Sequence, residues 1–213
     1  MSISASGRAG GCTNKRDRHL AGKARTIIGR VWRWLKLPVF ALLGVAAIPL
    51  VLVPLYAVVP PVSTLMLARY VTGQPVDRQW RDIDTISDRL KTAVILSEDG
   101  QFCRHDGVDW GALRAEVANW RAGDNARGAS TITMQVARNL FLSNSRSVVR
   151  KAIEVPLALY VDFVLPKQRI LEIYLNIAEW GPNGTFGVEA GTQHAFGTTA
   201  ENFTWERASL LAV

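Results

Sequence analysis

From residue 37 to residue 68 the chain reads LPVFALLGVAAIPLVLVPLYAVVPPVSTLMLA, with no charged residue between Lys36 and Arg69. About 20 apolar residues cross a bilayer core as a helix, so Val39 to Val59 is long enough to be a transmembrane anchor. The apolar region of a signal peptide is shorter, at about 7 to 15 residues. Pro49 and Pro54 are tolerable in a membrane helix and predict one that is not straight. Pro60-Pro61 ends the run, and TGQPVDRQWRDIDTISD supplies turn residues, which predicts a connector over residues 60–87. Further on, the apolar positions recur mostly at helical spacing. LRAEVANW puts Leu113, Val117 and Trp120 on one stripe, and QRILEIYLNIAEW puts Ile170, Leu171, Tyr174, Leu175 and Ala178 on another. Pro166 falls in the first turn of the second helix, where a missing N–H costs nothing. Asn183-Gly184 reads as a turn, and the glycines at 181, 187, 191 and 197 divide the later stretch into turns and short helices. A mostly α domain over residues 88–213 follows.

Charge changes the picture once it is located. The formal net charge is +7, but the first 38 residues hold nine Lys and Arg against one acid, Asp17. The remainder carries 16 bases against 17 acids, which removes the usual inference from a basic protein to a nucleic-acid partner. A basic tail over residues 1–38 in front of an apolar span puts the N-terminus in the cytoplasm by the positive-inside rule, with the domain on the other side. Cys12 and Cys103 then lie on opposite faces of the membrane and cannot pair within one chain. Cys103 reads as a small buried hydrophobe.

Two stretches carry chemistry. AVILSEDGQFCRHDGVDW ends an apolar run in Glu98 and Asp99, with Phe102, His105 and Gly107 following. Partial desolvation would make Glu98 a usable general base or acid, and the competing reading of the pair is as solvated or capping carboxylates. Glu98, Asp99, His105, Asp106 and Asp109 show no established metal-ligand spacing, so no metal is assigned. The second stretch, residues 127–154, contains Arg127, Arg138, Arg146, Arg150 and Lys151 and no acid until Glu154. On a helix Arg146, Arg150 and Glu154 share a face with Lys151 beside them. Such cations form a clamp for phosphate, or else an exposed basic helix with one ion pair. GASTIT adds Ser130, Thr131 and Thr133 as hydroxyl donors; it is not a nucleophile elbow.

Together these stretches resemble the peptidoglycan glycosyltransferases, the transglycosylase family shared by bifunctional penicillin-binding proteins and short monofunctional enzymes. E-D-x-x-F-x-x-H-x-G is matched by Glu98, Asp99, Phe102, His105 and Gly107. G-x-S-T-I-T-Q-Q with a following basic residue and Asn is matched at Gly128, Ser130 to Thr133, Gln135, Arg138 and Asn139, with Met134 in place of the first Gln. R-K-x-x-E is Arg150, Lys151 and Glu154, and K-x-x-I-L-E-x-Y-L-N is Lys167, Ile170 to Glu172 and Tyr174 to Asn176. Four motifs in order over about 80 residues carry the resemblance, and the single anchor with no penicillin-binding module points to the monofunctional branch. The family's fifth motif is not reached before Val213, so the domain reads as truncated at its C-terminus.

The resemblance implies a lysozyme-like helical domain behind a single transmembrane helix, in the bacterial inner membrane with its catalytic domain periplasmic. It implies lipid II and the growing glycan strand as substrates for cell-wall biogenesis, with inversion at the sugar carbon and release of polyprenyl pyrophosphate. Glu98 and Glu154 would be catalytic, Glu98 as base for the acceptor 4-hydroxyl and Glu154 orienting cations or a divalent ion. Ser130, Gln135, Arg138, Arg146, Arg150, Lys151 and Lys167 would bind substrate, while Asp99, Phe102, His105, Gly107 and Asn139 support the motifs. Met134 would alter a hydrogen bond near the donor site. No cofactor is required, with Mg or Mn at the donor pyrophosphate left open. The lipid bilayer and other cell-wall synthesis or division proteins are the expected partners, and nucleic acid is not. The rival readings are a lysozyme-like lytic enzyme and a non-catalytic membrane-bound scaffold.

Overall fold

The structure is a computed structural model that describes residues 36–123, 128–143 and 147–212. The chain divides into two compact units, Met1–Ile48 and Pro49–Val213. Residues 1–35 of the basic tail and two of the cations singled out above, Arg127 and Arg146, lie outside the described residues. Helix α1, Lys36–Leu55, has a mean hydropathy of 2.4 and is long and apolar enough to cross a membrane. It starts and stops a few residues before the span read from hydropathy. Leu37, Phe40, Leu42 and Val45 are exposed along its first half.

In the second unit the chain forms α2 (Thr64–Val71), β1 (Asp77–Arg78), α3 (Asp88–Glu98), α4 (Trp110–Ala122), α5 (Ile132–Phe141), α6 (Val148–Val164), α7 (Lys167–Ile177), β2 (Glu179–Gly181), β3 (Thr185–Phe186), α8 (Val188–Phe196) and α9 (Trp205–Ala212). Helices α5, α6 and α7 pack on one another, and α3 packs on α9. A small sheet in the order β1-β3-β2 pairs β1 parallel and β2 antiparallel to β3. Asn183 and Gly184, at φ 62° and 85°, make the predicted turn between β2 and β3.

Helix α7 is central, which a single stripe did not predict: all eight residues from Ile170 to Ile177 are buried. Pro166 is its N-cap, one position earlier than read. Helix α6 runs on past the predicted Val148–Glu154 segment and through Pro156, whose ring removes one backbone donor without ending the helix. Gly191 lies inside α8 rather than at a break, and glycine is required there because a Cβ would come within 2.6 Å of the Trp180 Cβ. The stripe on α4 forms the helix but not a core: Val117 and Trp120 are exposed, and no residue of α4 is buried. Cys103 is exposed and not a core hydrophobe. It sits on a loop whose apolar anchor is the neighbouring Phe102, 2% exposed.

Residues 60–87, expected as a connector, are built into the unit. Met66, Ile83 and Ile86 join its apolar core. The Thr64 hydroxyl donates to the Leu142 carbonyl over 2.7 Å. Asn176 of α7 clamps the backbone of Arg81, accepting from its N–H at 2.7 Å and donating to its carbonyl at 2.8 Å. These ties run between residues far apart in sequence, so local turn composition could not reveal them. Residues 49–59 pack similarly: Val53 is fully buried, and Arg169 donates to the carbonyls of Tyr56 and Val59.

Candidate active site

Glu98 is the last residue of α3, and Asp99 caps that helix in a non-helical conformation. The break turns the two neighbouring carboxylates apart. Glu98 is half-buried and its Oε2 accepts a 2.7 Å hydrogen bond from Gln135 Nε2, one turn into α5. Asp99 is buried and faces the scaffold. Its Oδ2 accepts from the Ile132 N–H at the start of α5, and His105 Nε2 lies 3.0 Å from both carboxylate oxygens. A carboxylate at a helix N-terminus satisfies an otherwise orphaned donor and opposes the helix dipole.

The same junction is locked from the other side. Thr131 caps α5, accepting from the Met134 N–H, and its hydroxyl donates to the Gly107 carbonyl over 2.6 Å. Gly107 has φ +82°, and a Cβ there would meet the Ala158 carbonyl oxygen at 2.7 Å, so only glycine lets this loop lie against α6. Lys167, expected to bind substrate, is committed elsewhere. Its Nζ donates to the His105 carbonyl at 2.7 Å and to Asp162 Oδ1 at 2.6 Å, and it sits 4.7 Å from the centre of the Phe102 ring. Asp162 also accepts from the Thr133 hydroxyl. Two of the three Lys167 N–H donors are therefore used inside the fold. Met134, expected to alter a hydrogen bond near the donor site, is fully buried in the apolar core.

The cations are held differently. Lys151 Nζ donates to Ser130 Oγ at 2.6 Å and stands 3.7 Å from Glu116 Oε2. Burial pushes the Lys151 ammonium below the ordinary lysine range; Glu116 opposes this, while Arg150 and Arg138 add to it. The Arg150 guanidinium is lowered by burial and then by Arg138. Arg150 pairs with the buried Glu154, yet its Nε and the Nε of Arg138 are both buried without a hydrogen-bond partner. Arg138, Arg150 and Lys151 therefore repel one another, and Glu154 and Glu116 balance only part of their charge. Burial, and then the negative charge of Glu98, raise the pKa of Tyr174.

Two cavities flank the Glu98–Gln135 pair. One, of about 180 Å³, has Glu98 and Asp99 on one wall and Ser130 and Thr131 on another. The second, of about 190 Å³, is lined by Gln135, Arg138, Asn139, Tyr174 and Glu179. The structure thus brings Glu98, Ser130, Gln135, Arg138, Asn139, Arg150, Lys151 and Glu154 to one region, and puts Asp99, Phe102, His105, Gly107 and Lys167 behind it. The motif reading missed Glu116, Asp162 and Glu179. Asp162 and Lys167 are separated by the helix break at Pro166, so no helical spacing marked them as partners. A divalent ion finds no ready cage. Among the described residues no three His, Cys, Asp or Glu side chains converge, and Arg150 already engages the Glu154 carboxylate.

The family described as Transglycosylase matches residues 65–213, which includes α2 and much of the expected connector. A protein of Rhodopseudomonas palustris (strain TIE-1) is 51% identical over 183 residues, covering 86% of this chain and 78% of the relative. One of Nitrobacter hamburgensis (strain X14) is 53% identical over 174 residues, covering 82% and 77%. One of Agrobacterium fabrum (strain C58) is 51% identical over 177 residues, covering 82% and 78%. All three are named biosynthetic peptidoglycan transglycosylase. With half of the aligned residues shared over more than four fifths of its length, the chain belongs to the transglycosylase family.

Proposed function

We propose that this protein polymerises the glycan strands of peptidoglycan, taking as substrate the lipid-linked disaccharide-peptide lipid II. The carrying observation is the pairing of a carboxylate with an under-partnered cation cluster at one site: Glu98 and Ser130 line the same cavity, and Ser130 receives Lys151. Glu98 takes the proton of the acceptor sugar 4-hydroxyl as its oxygen bonds to the anomeric carbon of the donor. The bond from that carbon to the pyrophosphate oxygen breaks on the opposite face, which inverts the centre. Polyprenyl pyrophosphate leaves, and the charge it gathers falls to Arg138, Arg150 and Lys151, with Arg146 expected to join them. No step calls on a metal.

Gln135 holds the base, and Glu154 orients Arg150. A positioned base typically contributes about 10² to 10⁴-fold, and cavities on either side of the Glu98–Gln135 pair suit two substrates that meet there. A lytic enzyme cutting finished glycan has no pyrophosphate to neutralise and no use for these cations. The apolar helix ahead of the domain, with its basic tail kept in the cytoplasm, would hold the site at the periplasmic face of the inner membrane beside its lipid-linked substrate.

The test is polymerisation of labelled lipid II by the full chain in detergent or liposomes. Glu98→Gln is expected to lower the rate by roughly 10² to 10⁴-fold with an unchanged melting curve. Retained polymerisation in that variant removes Glu98 as the base, and release of fragments from finished peptidoglycan by the wild type selects the lytic reading.

A further inference from the structure

Glu116 belongs to none of the four motifs and lies on α4, a helix with no buried residue. Even so, its carboxylate meets the cation cluster. Ala112, one turn earlier on the same face, lines the cavity that holds Glu98 and Ser130. Glu116 Oε2 is shut off from solvent and has no hydrogen-bond partner, while standing 3.7 Å from Lys151 Nζ. An ion pair at that separation, with the ammonium donating instead to Ser130, is loose on the carboxylate side.

We propose that Glu116 is a positioning residue that acts through Lys151: it is the counter-ion of the leaving-group cluster when no pyrophosphate is bound, and it yields that place to the arriving anion. This deepens the proposed polymerase reading and rests on it. Among the described residues four groups bear on the Lys151 ammonium: Glu116 from α4, Ser130 ahead of α5, Arg138 from α5 and Arg150 on its own helix. Of these only Glu116 is negative. It supports the protonated form of Lys151 against burial and the two arginines, and it opposes a bound anion by its own charge. The cluster therefore stays charged when empty and releases its product readily.

The experiment compares wild type, Glu116→Gln and Glu116→Asp. Binding of inorganic pyrophosphate is measured by calorimetry without turnover, and lipid II polymerisation is followed across pH. Glu116→Gln is expected to bind pyrophosphate roughly tenfold tighter, because a negative charge a few Å away is removed. Its KM for lipid II should fall, and the alkaline limb of its pH–rate profile should move to lower pH as Lys151 loses its supporting charge. Glu116→Asp should restore both values toward wild type. Pyrophosphate affinity and an alkaline limb unchanged in Glu116→Gln, or weaker binding in it, would overturn the proposal, as would a loss shared equally by Gln and Asp. Tighter pyrophosphate binding in a protein that polymerises nothing would remove the polymerase reading and leave the counter-ion role standing.

Discussion

Around Asp99 nearly every polar group has a partner: the carboxylate takes a helix N–H and His105, Lys167 takes a carbonyl and Asp162, and Asp162 takes Thr133 as well. Around Arg138 the opposite holds, with two guanidinium Nε atoms buried and unpartnered and a lysine whose ion pair is loose. Both regions are rich in motif residues and both sit against α5. The first is saturated but for the buried Nδ1 of His105 and works as a scaffold. The second is unsaturated, and an anion completes it. Buried polar groups left without partners are unfavourable, so their concentration in one half of the site marks where substrate supplies what the chain does not.

The contrast can be broken most sharply at Arg138. Among the described residues Arg138→Met breaks no identified side-chain hydrogen bond, and it relieves repulsion on Arg150 and Lys151, so the melting temperature should hold or rise. The polymerisation rate should meanwhile fall about 10² to 10³-fold, the scale for losing one donor aimed at developing charge. A lower melting temperature with an unchanged rate would assign Arg138 to the scaffold. Next in size, Asp162→Ala strands the Lys167 ammonium and releases Thr133. Denaturant unfolding should show a loss of about 2 kcal/mol, less than the 3–5 of a fully buried pair, because Lys167 keeps 29% of its side chain exposed. A superimposable unfolding curve would take Asp162 out of the scaffold.

The smallest effect is with pH. Lys151 is held below its ordinary value, so between the folded and unfolded pKa values the unfolded chain binds more protons, and stability rises with pH across that interval. Activity runs the other way and falls as the ammonium is lost. The free energy of unfolding should rise with pH more steeply in the wild type than in Lys151→Met, and equal slopes would mean that Lys151 is not desolvated.

Much of the site was legible because its residues stand at fixed short spacings: Glu98, Gln135, Arg138 and the Arg150–Glu154 pair all fall where the motifs put them. What motif spacing could not do was sort those residues by role. Asp99 and Glu98 are adjacent, and Lys151 and Lys167 each belong to a motif, yet Asp99 and Lys167 are tied to the backbone and side chains that brace the fold, while among the described residues Glu98 accepts only from Gln135 and Lys151 donates to Ser130. The sorting depends on Ile132, Asp162 and the His105 carbonyl, which come from other segments. Asp162 and Glu116 carry no local signal at all.

By itself the sequence determined the apolar span, the basic tail, the helical class and the four motifs, since each is a matter of composition or of period along one segment. Only the tertiary structure decided that α7 is buried all round while α4 is not, that residues 60–87 belong to the unit, and that Lys167 is a brace. Burial and hydrogen-bond partnership are properties of what packs against a residue, and in this protein such partners come from 33 to 95 positions away.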